Sequence, residues 1–203
     1  MHQPSLFLLP EKRQLVKDLY SNATFHIDEC DVGLGVFANR EIRPGEVILA
    51  FGGPVIDFAE TKRRGPWECM PVQIGQNRYF DTRPPGVFVN HSCEPNAGIR
   101  NDRDLVALRQ IRLGEEVRFD YSTTMEEQSF TMRCLCGTPK CRHVVADFST
   151  LPSDVQERYI TERIVMSFIL DKLAQGGRER AAGGVSGSAF VTGLAASQAR
   201  TGC

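Results

Sequence analysis

Along residues 25–121, apolar residues come in short runs, each cut off within a few positions by Gly, Pro or Asn/Asp. Runs of that length suit strands, since an amphipathic helix needs about ten residues to present a face. The pattern predicts strands at 35–38, 46–51, 86–89, 97–100, 105–109 and 116–119. Arg43-Pro44-Gly45-Glu46 has proline and glycine in the two central places of a tight turn, and Asn101-Asp102-Arg103-Asp104 reads as a hairpin tip. The segment from Ile42 to Val47 is echoed by that from Ile111 to Val117, two similar turn-to-strand entries and too few for a repeat array.

The period changes at both ends. Leu15, Val16, Leu19 and Tyr20 have helical spacing within 10–20 and are expected to bury one face. Beyond Pro152, Ser153 reads as an N-cap with Gln156 completing a capping box, and Val155, Tyr159, Met166, Ile169 and Leu173 fall near one face of a single helix. From Gly176 onward Gly, Ala, Ser and Thr dominate, too little apolar surface to offset ordering entropy, so disorder is expected. The fold class is therefore mostly β with flanking helices.

Composition narrows this little. In 203 residues with a net charge of −1, Lys62-Arg63-Arg64 is the one compact basic run, which gives no nucleic-acid signal. Leu6-Phe7-Leu8-Leu9 is ended by Pro10 and Glu11, too short for a signal core or a membrane span, so an intracellular setting is expected, cytoplasmic by default with a nuclear one open in a eukaryote. Seven cysteines, an odd number, fit a reducing compartment better than a disulfide framework.

Candidate chemistry lies in two clusters. Cys134, Cys136 and Cys141 supply three thiols, one fewer than a closed tetrahedral zinc site needs, and Cys93 can supply the fourth. Four thiolates predict a structural Zn²⁺ that clamps the later segment onto Asn90-His91-Ser92-Cys93-Glu94-Pro95-Asn96. Leu135 sits between two of those ligands. Gly33-Leu34-Gly35-Val36-Phe37-Ala38 matches a dinucleotide-binding pattern, but no hydrophobic strand precedes it and Pro44-Gly45 arrives before a helix could form. Phe119-Asp120-Tyr121 alone is a weak signal.

Together, these segments resemble the SET-domain protein lysine methyltransferases followed by a post-SET zinc site. The heptapeptide 90–96 matches that family's Asn-His-Ser-Cys-x-Pro-Asn signature, and 114–121 resembles its last core strand with a closing aromatic-Asp-Tyr. The resemblance covers about residues 24–145. It implies small curved sheets in which the Asn-His and Tyr segments pass in a knot-like crossing. It also implies S-adenosylmethionine held by Gly33, Leu34, Gly35, Asn90, His91, Tyr121 and Leu135. Tyr121 becomes the catalytic residue, Cys93, Cys134, Cys136 and Cys141 the zinc ligands, and Tyr79 and Phe119 line a lysine channel, with a core role for Tyr79 equally open. Phe119 stands where the family gauges product methylation. The implied organisation is a helical lead-in (1–23), SET domain (24–125), post-SET segment (126–145), C-terminal helix (146–175) and disordered tail (176–203).

Two departures matter. Ala50-Phe51-Gly52-Gly53-Pro54 lacks the family's acidic residues after its second strand, and Val87-Phe88-Val89 lacks its arginine before Asn-His. The short stretch between Pro54 and Arg78 resembles compact bacterial SET proteins. The expected function is methyl transfer from S-adenosylmethionine to a lysine of a protein substrate by a monomer or weak dimer. Rival readings are a silent SET module that binds a lysine-containing peptide, and a structural zinc protein without cofactor affinity. Asp102, Asp104, Glu126 and Glu127 are acids that can attract a basic substrate tail.

Overall fold

The computed structural model describes residues 9–182. Helix α1 (Pro10–Tyr20) begins with proline in its first turn, where the missing N–H has no intrahelical partner to lose. It rests on β1 (Phe25–Cys30), which pairs antiparallel with β2 (Gly33–Ala38) from Phe25↔Ala38 to Cys30↔Gly33. Val16 and Tyr20 pack on the core, whereas Leu15 and Leu19 are 63% and 65% exposed, contrary to the expected four-residue face. A short helix on one hairpin makes contact along one i, i+4 line, so its neighbouring line faces outward.

The chain continues through β3 (Val47–Ala50), β4 (Val55–Ile56), helix α2 (Phe58–Arg63), β5 (Val72–Gly75), β6 (Arg78–Phe80) and β7 (Asn90–His91). Then come β8 (Ala97–Arg100), β9 (Asp104–Ala107), β10 (Arg118–Phe119), β11 (Met132–Arg133), β12 (Val144–Val145) and helices α3 (Ser153–Thr161) and α4 (Ser167–Ala182). Two three-stranded sheets, β3-β9-β8 and β4-β6-β5, accompany three two-stranded pairs. The β8–β9 tip has Asn101 and Asp102 at φ 53° and 56°, the left-handed conformation a tight hairpin turn demands. Ile42 and Ile111 exchange backbone hydrogen bonds of 2.9 and 3.0 Å, so the two echoed turn-to-strand segments meet each other.

The SET-type arrangement shows in how residues 114–119 are held. On one side Val117 N–H donates to Val36 (2.8 Å) and Ala38 N–H to Glu115 (3.0 Å). On the other, β10 pairs in parallel with β7, Arg118↔Asn90 and Phe119↔His91, and Ser92 N–H donates to Phe119 (3.0 Å). The last core strand thus joins the Gly-Leu-Gly hairpin to the Asn-His segment.

Several local expectations fail. Residues 86–89 are not a strand: Gly86–Phe88 form a 3-10 turn after Pro84-Pro85, and a Cβ on Gly86 would lie 3.0 Å from the Phe51 ring. The C-terminal helix is two helices, broken where Arg163 takes φ 58° and buried Ile164, Val165 and Met166 insert into the core. Ser153 does not cap α3, since Gln156 turns back to the Leu151 carbonyl at 2.8 Å, and Pro152 occupies the cap position. Helix α4 runs through Gly176 to Ala182, and the remainder of the expected tail lies outside the described residues. Tyr159, Ile164, Met166 and Ile169 join Ile99 and Leu105 in one core, so the C-terminal helices belong to the same packed unit as the sheets.

Candidate active site and metal centre

One cavity of about 550 Å³ lies where β7, β10 and the segment after β10 meet the β1–β2 hairpin and the cysteine segment. Asn90, His91, Tyr121, Leu135, Tyr79 and Phe119 all line it. Gly33, Leu34 and Gly35 do not. The hairpin instead presents Glu29, Cys30, Asp31 and Val32 to the cavity.

Leu34 has its side chain in the core, and its carbonyl accepts from Asn90 Nδ2 at 3.1 Å. The same amide donates to Glu116 Oε1 at 2.7 Å. A Cβ on Gly35 would lie 2.7 Å from Glu116 Oε1 and 3.3 Å from Asn90 Nδ2, so only glycine lets these groups close up here. Glu116 also pairs with Arg118 at 2.8 Å, and Arg118 donates to the Cys136 carbonyl at 3.1 Å. Both side chains reach the cavity, and the reading from sequence missed them. Their i, i+2 spacing on a strand, which places them on one face, was the available signal.

Tyr121 starts a 3-10 turn, Tyr121–Thr124, that Asp120 caps through Ser122 N–H. Its hydroxyl donates to the Val89 carbonyl at 2.8 Å, and its N–H donates to His91 Nδ1 at 3.2 Å. Since Nδ1 accepts, the imidazole proton sits on Nε2, which points to Cys93 Sγ at 3.3 Å. Burial holds the His91 pKa down at about 4, and the Arg142 and Arg118 charges push the same way against Asp120. The imidazole is therefore neutral. Phe119 lies between Phe51 (5.4 Å, edge to face) and Tyr121 (4.9 Å, tilted), giving one wall of the cavity three aromatic rings. Tyr79 is buried against Phe58, and its hydroxyl donates to Glu127.

Three of the four expected thiols, Cys93, Cys134 and Cys136, come together. Cys93 and Cys134 sulfurs are 3.7 Å apart, close to the ~3.8 Å edge of a tetrahedron with Zn–S bonds of ~2.3 Å. Ligand atoms of His91, Cys93, Cys134 and Cys136 lie within 4.8 Å of one another, and Cys141 packs on the same cluster. His91 is unsuited to ligation because its Nδ1 is taken by Tyr121 N–H and its Nε2 carries the proton. Backbone N–H groups of Arg142, Cys136 and His143 point at Cys93, Cys134 and Cys141 sulfurs (3.4, 3.5 and 3.4 Å), an arrangement that favours thiolates. Burial raises the Cys93 thiol to about 11 and Cys134 further. At Cys136 burial is outweighed by hydrogen bonds from Thr138 and backbone N–H groups, which bring it to about 6. These sulfurs can hold a metal ion.

Beneath the site, Asp120 is fully buried and joins three regions. Arg142 grips it with two bonds (2.7 and 2.8 Å), and the Tyr159 hydroxyl of α3 donates to it at 2.9 Å. Nothing in the local sequence announces this contact.

The family model for the SET domain matches residues 33–122. The chain is 33% identical over 129 residues to "Histone-lysine N-methyltransferase trr" of Drosophila melanogaster, a match that covers 54% of this chain and 5% of that protein. It is 32% identical over 126 residues to human "Histone-lysine N-methyltransferase 2B", again 54% and 5%. With "Probable histone-lysine N-methyltransferase set-23" of Caenorhabditis elegans it shares 31% over 144 residues, covering 58% of this chain and 57% of that protein. The chain thus spans a small fraction of the large relatives and just over half of the nematode one. No helix among the described residues is long and apolar enough to cross a membrane. With its last strand held between the glycine hairpin and the Asn-His segment, residues 33–122 are a SET domain.

Proposed function

We propose that this chain is an S-adenosylmethionine-dependent protein lysine N-methyltransferase with Tyr121 as its catalytic residue. The observation that carries the reading is the position of the Tyr121 hydroxyl, bonded to Val89 one residue before Asn90-His91 in the same cavity. The relatives' names, histone-lysine methyltransferases, agree with it.

The cavity chemistry fits the cofactor. Glu116 and Arg118, paired with each other, present both charges to the zwitterionic amino-acid end of the cofactor, and Leu135 with the aromatic wall suits adenine. Asn90, His91, Leu135 and Tyr121 would hold it, and the Gly33-Leu34-Gly35 segment would act through the Leu34 carbonyl that fixes Asn90. Bound S-adenosylmethionine would supply an electrophilic methyl group and a sulfonium charge.

An acceptor lysine must first lose its proton, since ammonium has no lone pair. From a pKa of about 10.4 to neutrality this costs roughly 4.6 kcal/mol. The Phe51, Phe119 and Tyr121 rings disfavour the ammonium by desolvation. With its proton committed to Val89, the Tyr121 oxygen accepts from the amine N–H and so aims the nitrogen lone pair. Alignment of this kind supplies much of the rate in a displacement between two bound partners. Phe119 has no hydroxyl to hold a water in the channel, which leaves room for di- and trimethyl products.

Zn²⁺ on Cys93, Cys134, Cys136 and Cys141 would be structural, since four thiolates close its coordination. It would pin Leu135 over the cavity.

The test is Tyr121→Phe. Radiolabelled methyl transfer to a protein pool is expected to fall at least about a hundredfold, the usual scale for an acid–base or orienting group, with cofactor affinity by calorimetry retained. Wild-type transfer by the variant would refute the role of Tyr121. Peptide binding without transfer by the wild type would favour a silent module.

A further inference from the structure

Of the four acids that the sequence offered to a basic substrate, three are engaged elsewhere. Asp102 accepts from Ser167 N–H at 2.7 Å and from its hydroxyl, capping α4. Asp104 holds Asn101 at 3.1 Å within the hairpin turn. Glu126 is buried, accepts from Ser149 N–H at 3.0 Å and pairs with Lys172 at 3.2 Å.

Glu127 differs. It is half-buried, lines the cavity that holds Tyr121, and accepts from the Tyr79 hydroxyl. Other acids on that wall are matched by cations: Glu29 by Lys17 (3.6 Å), Glu68 by Lys62 (3.1 Å) and Glu116 by Arg118 (2.8 Å). Asp31 sits at the exposed hairpin turn. Among the described residues, no Lys, Arg or His forms an ion pair with Glu127.

A second observation points the same way. Asp147, 5% exposed, lies close enough to Glu127 and Tyr79 for its charge to bear on both. Its Oδ2 accepts from Gln128 N–H at 2.7 Å, but its Oδ1 is buried with no hydrogen-bond partner. Burial, then the charges of Glu126 and Glu127, raise its carboxyl above the ordinary range. Negative charge is thus concentrated behind Glu127, which of these carboxylates is the one that lines the cavity. A positively charged ligand group would correct the imbalance.

Building on the methyltransferase reading, we propose that Glu127, braced by Tyr79 and backed by Asp147, receives a second cationic side chain of the substrate, a lysine or arginine near the methylated lysine. The carboxylate sets which lysines are chosen, whereas the aromatic wall around Tyr121 takes the amine itself.

The test uses the full chain and peptides with one acceptor lysine, in which a single arginine is walked along both flanks and compared with alanine at the same place. Fluorescence anisotropy reads binding and radiolabel reads transfer, separately. At one register the wild type is expected to bind the arginine peptide about tenfold more tightly, the scale of one charge-assisted hydrogen bond. Glu127→Gln, close in shape, is expected to level that preference, and Glu127→Lys to turn it toward glutamate at the same register. An inverted preference could not come from a merely structural residue. Absence of any favoured register in the wild type, or a preference that survives Glu127→Gln, would overturn the proposal. A Glu127-dependent preference without transfer from any peptide would sink the methyltransferase reading and leave the subsite standing. Transfer without such a preference would do the reverse.

Discussion

Asp120 shows how much one buried carboxylate can organise. It joins the turn that begins at Tyr121, the Arg142 guanidinium beside the thiol cluster and the Tyr159 hydroxyl of α3. Removing it would leave Arg142 charged, half-buried and unpaired, so Asp120→Ala is expected to cost about 3 kcal/mol in urea unfolding. Tyr159→Phe, which deletes one neutral donor, is expected to cost about 1 kcal/mol by the same measurement. At Glu115, burial works against ionisation. Bonds from Arg109 (2.6 Å), Arg112 N–H (3.1 Å) and Asn96 (2.9 Å) outweigh it and hold the pKa at about 2, below the ordinary 4.5. A depressed carboxylate stabilises the fold above the unfolded pKa and loses that contribution as pH falls from about 4.5 toward 2. Because the Arg109 side chain is 56% exposed, screening reduces the expected effect to about 1 kcal/mol. The difference in unfolding midpoint between wild type and Glu115→Gln should therefore narrow across that acid range and stay constant above it.

At the scale of elements, glycine decides how α4 reaches the sheet. A Cβ on Gly98 in β8 would fall 2.5 Å from Ile164 Cγ2, and Ile164 is itself buried in the break between α3 and α4. Gly98→Ala is expected to destabilise by roughly 1–3 kcal/mol through overpacking, and the double variant with Ile164→Ala to lose less than the sum of the two single losses, as thermal unfolding of single and double variants would show. The echoed turns at Gly45 and Gly114, with φ of 82° and 77°, carry Ile42 and Ile111 into contact. Both turns were legible from Pro-Gly and Leu-Gly in the chain. Their meeting was not, since nothing in a local pattern says that two similar segments pair. The failed strand at 86–89 has a comparable origin. Val87-Phe88-Val89 is apolar enough for a strand, but the preceding prolines offer no N–H to a ladder, and Gly86 must pass beneath Phe51.

At the scale of the molecule, one core runs from Phe25 and Ile27 to Met166 and Ile169, and a small second cluster forms around Cys93, Cys134 and Val145. The second cluster has few apolar residues for the chain length it orders, and a metal ion bound as proposed would supply the difference. With Zn²⁺ bound as proposed, a strong chelator is expected to release one equivalent per chain and to raise amide exchange across 132–145 while β8 and β9 stay protected. Binding of structural zinc reaches on the order of 10 kcal/mol, ample for that segment. Exchange unchanged after complete chelation would show that the thiols pack without needing an ion.

By itself the sequence determined what depends on neighbours along the chain: turns at glycines, hairpin tips at Asn-Asp, the thiol spacing, and the segments carrying Asn90, His91 and Tyr121. Those features follow from backbone conformations and ligand geometries set within a few residues. Tertiary structure alone decided that Glu116 and Arg118 face the cavity, that Glu29–Val32 rather than the glycines line it, and that α4 continues past Gly176. It also joined Arg142 and Tyr159 to Asp120, and Tyr79 to Glu127, across 22, 39 and 48 residues of chain. Contacts of that range have no period or spacing to read, because their energy exists only once a low-dielectric interior brings the groups together.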